Sequence, residues 1–166
     1  WAVALLAWST SKTVPLPPRS ASAGEPPNGL FRLCPDQTPC VSSQDDRPRV
    51  WDNPWAYDGS EVEAMRSLRD VLVRRDDATV LEATPRYVRA AFASRSPLGA
   101  PRTDVIEWYL TPGDALIQFR AERLGGDTDL GANRERLEKL RIRLGFEKVP
   151  VLRNRRRALI VIESPL

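Results

Sequence analysis

Cys34 and Cys40 are the only thiols of the chain, and they stand in the stiff, polar segment Cys34-Pro35-Asp36-Gln37-Thr38-Pro39-Cys40. A disulfide across this spacing closes a short ring, stabilises by roughly 2 kcal/mol on the chain-entropy account and implies an oxidising compartment. Two free thiols in a reducing compartment are the other reading. A redox-active pair is disfavoured, because the Cys-x-x-Cys spacing and a helix start to lower the thiol pKa are both missing. The chain contains no histidine, which removes the commonest general base and the usual zinc and haem ligands. Neither a P-loop nor a GxGxxG or GxSxG stretch occurs, so phosphate cradles and nucleophile elbows are not encoded in recognisable form.

Acids offer little more. Asp127, Asp129, Gly131, Asn133, Glu135 and Glu138 fall in an EF-hand-like register, but Ala132 stands where the loop needs glycine and no helix precedes it. Helix capping and surface ion pairs explain the same residues. Asp104 and Glu107 could serve as an acid–base pair, a signal too common to carry weight without a pocket. The basic run Arg153-Asn154-Arg155-Arg156-Arg157 suits lipid headgroups, phosphate or an acidic surface equally with a solvated turn. Nucleic acid is not expected as a partner, since aromatic residues are not interleaved with the basic ones. No cofactor and no metal are expected.

The elements that must position these residues are legible in part. The chain has 166 residues, 15 prolines and a net charge of +3, which fits one domain with appended arms. Nine of the prolines precede residue 55, so the first third reads as stiff and extended. Ser60-Glu61-Val62-Glu63 is a capping box, followed by Val62, Met65, Leu68 and Leu72 at helical spacing, with Val71 beside them; the pattern predicts a helix over 61–74. Four strands follow, at Thr79–Ala83, Tyr87–Ser94, Asp104–Leu110 and Ala115–Arg120, the last two joined by the turn Thr111-Pro112-Gly113-Asp114. In the third strand Ile106, Trp108 and Leu110 alternate with Val105, Glu107 and Tyr109. A second helix is predicted over Leu130–Leu144, with Asp129 as N-cap, Leu137, Leu140 and Leu144 inward, and Gly145 as its stop.

This order predicts an α+β fold: an antiparallel sheet of four strands with two helices on one face, and a fifth strand available from Ala158–Ile162. The chain divides into an apolar and proline-rich arm (1–30), a cysteine-containing extended segment (31–57), the α+β core (58–145) and a basic tail (146–166). The run from Trp1 to Trp8 is too short to cross a bilayer as helix. Together with Pro15, Pro17 and Pro18 it reads as an arm that docks on a partner, with packing on its own domain as the plainer alternative. Tryptophans of this kind also suit a lipid interface.

Two stretches resemble the domain of unknown function 1499 family. One runs from Leu33-Cys34-Pro35 to Cys40-Val41-Ser42-Ser43. The other comprises Asp129, Leu130, Gly131, Asn133, Arg134, Arg136, Glu138 and Arg141. Between them Tyr87 to Ala90, Asp104 to Glu107, and Phe119-Arg120 are similar to further motifs of the family. Pro39 replaces the family's asparagine, and Ala121-Glu122-Arg123-Leu124 replaces its serine-rich loop. The family has no assigned activity; its members occur in bacteria and in the plastids of plants and algae. The resemblance implies a thylakoid-lumen setting, with the bacterial periplasm as alternative. The expectation is a non-catalytic accessory subunit of a photosystem-type membrane complex in the chloroplast, on the lumenal side, contacting neighbouring subunits through residues 1–30. The alternative is a stand-alone lumenal or periplasmic protein that binds a small ligand, or an enzyme, with a pocket lined by Trp108, Tyr109 or Arg120.

Overall fold

The computed structural model describes residues 24–125 and 128–150. Trp1, Trp8, Pro15, Pro17, Pro18 and the Ala158–Ile162 run lie outside the described residues. In chain order the elements are β1 (Cys40–Ser42), β2 (Trp55–Ala56), α1 (Glu61–Val73), β3 (Ala78–Ala83), β4 (Tyr87–Arg95), β5 (Pro101–Thr111), β6 (Leu116–Leu124), α2 (Ala132–Leu144) and β7 (Glu147–Lys148). The fold is α+β, as the element order predicts. Its sheet is larger than four strands.

β3, β4, β5 and β6 form an antiparallel meander, in which each strand pairs with the next. β1 and β2 lie along the free side of β6, β1 opposite Arg120–Glu122 and β2 opposite Leu116–Ile117, and β7 pairs with β2. These three additional strands span two or three residues each. Their pairing is set by partners far away in sequence, so no alternation long enough to read exists within them.

Successive strand residues face opposite sides, and the register sorts the sheet into two very different surfaces. Val88, Ala90, Phe92, Ile106, Trp108, Leu110, Ile117, Phe119 and Ala121 form one face and join Met65, Leu68 and Leu72 of α1 and Leu137 and Leu140 of α2 in a single apolar core. Phe146 and Trp55 close one side of it, with ring centroids 6.3 Å apart. Trp55 also lies 5.0 Å from Phe119.

α1 begins as the sequence predicts. Ser60 accepts from the Glu63 N–H while the Glu63 carboxylate accepts from the Ser60 N–H. The predicted stripe is corrected at Val62, which is 60% exposed; it belongs to the first turn, ahead of the point where the helix meets the sheet. α2 begins two residues later than predicted. Gly131, at φ +82°, is the residue before its first turn, and Asp129 caps from further back: its carboxylate accepts from the N–H groups of Gly131 (3.0 Å) and Asn133 (3.1 Å). Leu144 is only partly buried against the core. Ala115, predicted as the first residue of the last strand, belongs to the turn at φ +48°, and the strand continues beyond Arg120 to Leu124.

Candidate functional site

The face of the sheet away from the helices carries charge. Register places Glu82 of β3 opposite Arg89 of β4, Arg89 opposite Glu107 of β5, and Glu107 opposite Arg120 of β6, so acids and arginines alternate across four strands. Such opposite-charge neighbours support one another. One step along the same face, Tyr87 stands opposite Tyr109. The Tyr87 hydroxyl donates to Glu107 at 2.7 Å, and Arg120 reaches Glu107 at 3.4 Å and Glu122 at 2.6 Å. Burial, with the negative charge of Glu107 next, pushes the Tyr87 phenol far above its ordinary pKa.

Residues 25–34 run across this face as a strap. Glu25 accepts from the Thr84 hydroxyl at 2.6 Å. Gln44 clamps the middle twice, donating to the Gly29 carbonyl and accepting from the Phe31 N–H, both at 2.8 Å. Gly29 passes so close to Tyr109 that a Cβ would stand 3.2 Å from its ring. Phe31 packs with Tyr87 and Tyr109, and Arg32 pairs with Glu122 at 3.0 Å. This is why both faces of β5 are buried where its alternation predicts one. Strand alternation places the alternatives named for a pocket lining on different faces: Trp108 points into the helix-side core, whereas Tyr109 and Arg120 lie on the face crossed by the strap. Arg89 is 7% exposed, and its Nε, like that of Arg120, has no hydrogen-bond partner.

Asp104 has a separate role on the opposite face from Glu107, so the two do not form an acid–base pair. It is fully buried, accepts from Arg123 Nε at 2.9 Å and forms an ion pair with Arg136 at 3.0 Å. Arg136 also donates to Asn133 at 2.6 Å and stacks over Phe92 at 4.9 Å. Arg123 sits in the stretch that departs from the family pattern, and it fastens β6 to this cluster.

The remaining residues of the second motif tie α2 to its surroundings. Arg134 donates to the Trp51 carbonyl at 2.9 Å and lies 3.5 Å from Asp52. Glu138 pairs with Arg141 at 2.6 Å and with Lys148 at 3.1 Å, and the hydrogen bond from Arg141, followed by those of Lys148, lowers its carboxyl to a pKa of about 2. Arg141 also donates to the Phe146 carbonyl. Asp129, Gly131, Asn133, Arg134, Arg136, Glu138 and Arg141 therefore act on the fold, capping α2 or joining it to β5, β7 and the 49–52 loop. Among the described residues no group of three or more acids and cysteines is placed to hold a metal ion; Asp127 lies outside them.

Cys34 and Cys40 are joined by a disulfide. The ring is braced from inside the fold. The Cys34 N–H donates to Asp45 at 2.9 Å, and Arg47 donates to Asp45, Asp36 and the Cys34 carbonyl. The Arg47 hydrogen bond holds the Asp45 carboxyl far below the ordinary range. Between this ring and the start of α2 lies a half-open pocket of about 500 Å³ whose wall includes Asp36, Thr38, Cys40, Arg49, Asp129 and Arg134. The two stretches that carry the family resemblance thus meet in space. The motifs do not by themselves announce the pocket, because Arg49 lies outside both stretches and Thr38 is a variable position within the first.

The fold and these bridges define a small α+β domain with a disulfide at its entrance and ionic clusters on both faces of its sheet. The model of the family described as protein of unknown function, DUF1499, matches residues 31–144, and the chain belongs to that family. Among curated proteins none matches it.

Proposed function

We propose that this chain is a non-catalytic accessory subunit of a membrane-bound photosynthetic complex, held on the lumenal side of the thylakoid. The α+β domain supplies the rigid body, and the segment ahead of Gly24 reaches neighbouring subunits. The observation that carries this reading is the strap. Gln44, Thr84 and Glu122 fix residues 25–32 to the sheet, so whatever precedes them is delivered from a defined place beside the β3–β4 turn. A proline-stiffened segment loses less entropy on docking than a flexible one. The Cys34–Cys40 disulfide suits an oxidising lumen.

Solubilised thylakoid membranes resolved by native electrophoresis test it. The chain should co-migrate with a pigment–protein complex, and deletion of residues 1–23 should release it. Recovery of the full-length chain solely in the soluble fraction overturns the reading.

A second reading is favoured by Arg89. A buried guanidinium without a hydrogen-bonded counter-charge is expensive, and a free lumenal or periplasmic protein that binds a small anion under the strap would provide one. Osmotic release of the chain free of any complex would favour this second reading.

A further inference from the structure

We propose that the pocket between the Cys34–Cys40 ring and the start of α2 binds a small ligand through a carboxylate or phosphate group, and that the disulfide is what keeps the site assembled. Its volume of about 500 Å³ lies within the span of roughly 300–1,000 Å³ usual for small-molecule sites. The sign of the ligand follows from which wall groups are already satisfied. The acids are: Asp129 accepts from two backbone N–H groups of the α2 entry, and Asp36 accepts from Arg47. Arg134 is tethered to the Trp51 and Arg49 carbonyls.

Arg49 is different. Its guanidinium is 65% exposed at the rim, and its one ion pair, with Asp36, is long at 3.8 Å. It offers a planar set of donors that matches a carboxylate or phosphate edge. Thr38 also lines the pocket, and its hydroxyl is buried without any hydrogen-bond partner, an arrangement that costs free energy until an acceptor arrives. An oxyanion between Arg49 and Thr38 satisfies both.

The disulfide enters because Asp36, Gln37, Thr38, Pro39 and Cys40, five lining residues, belong to the seven-residue ring that it closes. Without the bond, Thr38 loses the constraint that holds it in the wall it shares with Arg49, so affinity falls when the ring is reduced.

The test is titration of the full, oxidised chain with inorganic phosphate and, separately, acetate, followed by amide chemical shifts. Shifts confined to residues 36–41, 49–50 and 128–134 are expected. A response to phosphate alone assigns a phosphate-type ligand, and a response to acetate assigns a carboxylate. Arg49→Met should weaken binding by about tenfold or more, the loss of one charge-assisted hydrogen bond, and Thr38→Val should weaken it as well. Arg66→Met, at an exposed position on α1, should leave it unchanged. No response to either anion, or equal loss with Arg49→Met and Arg66→Met, overturns the site. A reduced chain that keeps its native circular dichroism and its affinity overturns the role of the disulfide.

Discussion

Asp104→Ala tests the ionic cluster beneath α2 most directly. The carboxylate is fully buried and shared by two guanidinium groups, Arg123 at 2.9 Å and Arg136 at 3.0 Å, whose side chains are 1% and 12% exposed. Truncation leaves two positive charges facing each other, Arg123 fully buried and Arg136 nearly so. Removing one partner of a buried ion pair costs about 3–5 kcal/mol. Arg136 recovers part of this, because it keeps Asn133 and the Phe92 ring. Arg123 keeps only the Thr128 carbonyl and a long contact to Ser94, at 2.8 and 3.3 Å, neither of which carries charge. The expected loss is therefore about 3–4 kcal/mol, or roughly 10–20 °C in Tm for a domain of this size. Urea unfolding followed by tryptophan fluorescence, with the disulfide intact, reads it as a lower midpoint at unchanged slope. The double variant Asp104→Leu with Arg123→Met removes the more deeply buried of the two uncompensated charges and leaves Arg136 with Asn133 and the Phe92 ring; it should regain at least half of the loss, since apolar replacements of buried ion pairs are often neutral or better. The reasoning is refuted if Asp104→Ala costs under about 1 kcal/mol, or if the double variant is no more stable than the single one.

Arg89→Met removes the cation that stands between Glu82 and Glu107 in the register and should lower the urea midpoint, by about 0.2–1 kcal/mol for each cross-strand neighbour lost; an unchanged midpoint would contradict the pairing. Reduction of the Cys34–Cys40 bond, or its replacement by serines, should lower stability by roughly 2 kcal/mol, measured by the same unfolding curves with and without reductant. Stability should also depend on pH at both ends. Glu138 has its folded pKa lowered from 4.5 to about 2, so its contribution is present above the unfolded value and lost as pH falls through that window. Tyr87 has its folded pKa raised, so its contribution is complete below the unfolded value near 10 and lost as pH rises above it. Phenolate absorbance should accordingly show a late-titrating tyrosine that Tyr87→Phe removes; unaltered titration would contradict the burial of Tyr87 beside Glu107.

The parts of the fold that local chemistry dictates were legible in the sequence. α1 combines a capping box with a stripe of Met65, Leu68 and Leu72, and the β5–β6 turn combines Pro112 with Gly113, so neither depends on distant partners. The start of α2 was less legible, because Asp129 caps from two residues upstream of Gly131 and imitates an ordinary N-cap. β1, β2 and β7 are too short to show a period. The second face of β5 misleads for a different reason: alternation assigns one face to the core, yet Val105, Glu107 and Tyr109 on the other are buried too, Tyr109 beneath a strap from elsewhere in the chain. The disulfide could be anticipated from spacing and compartment logic. The pocket beside it could not, since Arg49 and Thr38 acquire meaning only when the ring meets the α2 entrance.

The Glu82–Arg89–Glu107–Arg120 row has a consequence for how the chain finds its fold. In a sheet whose two surfaces were both apolar, a strand could slide by one residue against its neighbour and still bury much the same area. Here a slip of β5 by one position would turn Glu107 and Tyr109 toward the helices and expose Ile106, Trp108 and Leu110. Misaligned β4–β5–β6 meanders thus become energetically distinct from the correct one while the sheet is still forming. The charged face works as a proofreading device, giving up some stability in the finished protein for a single pairing along the way.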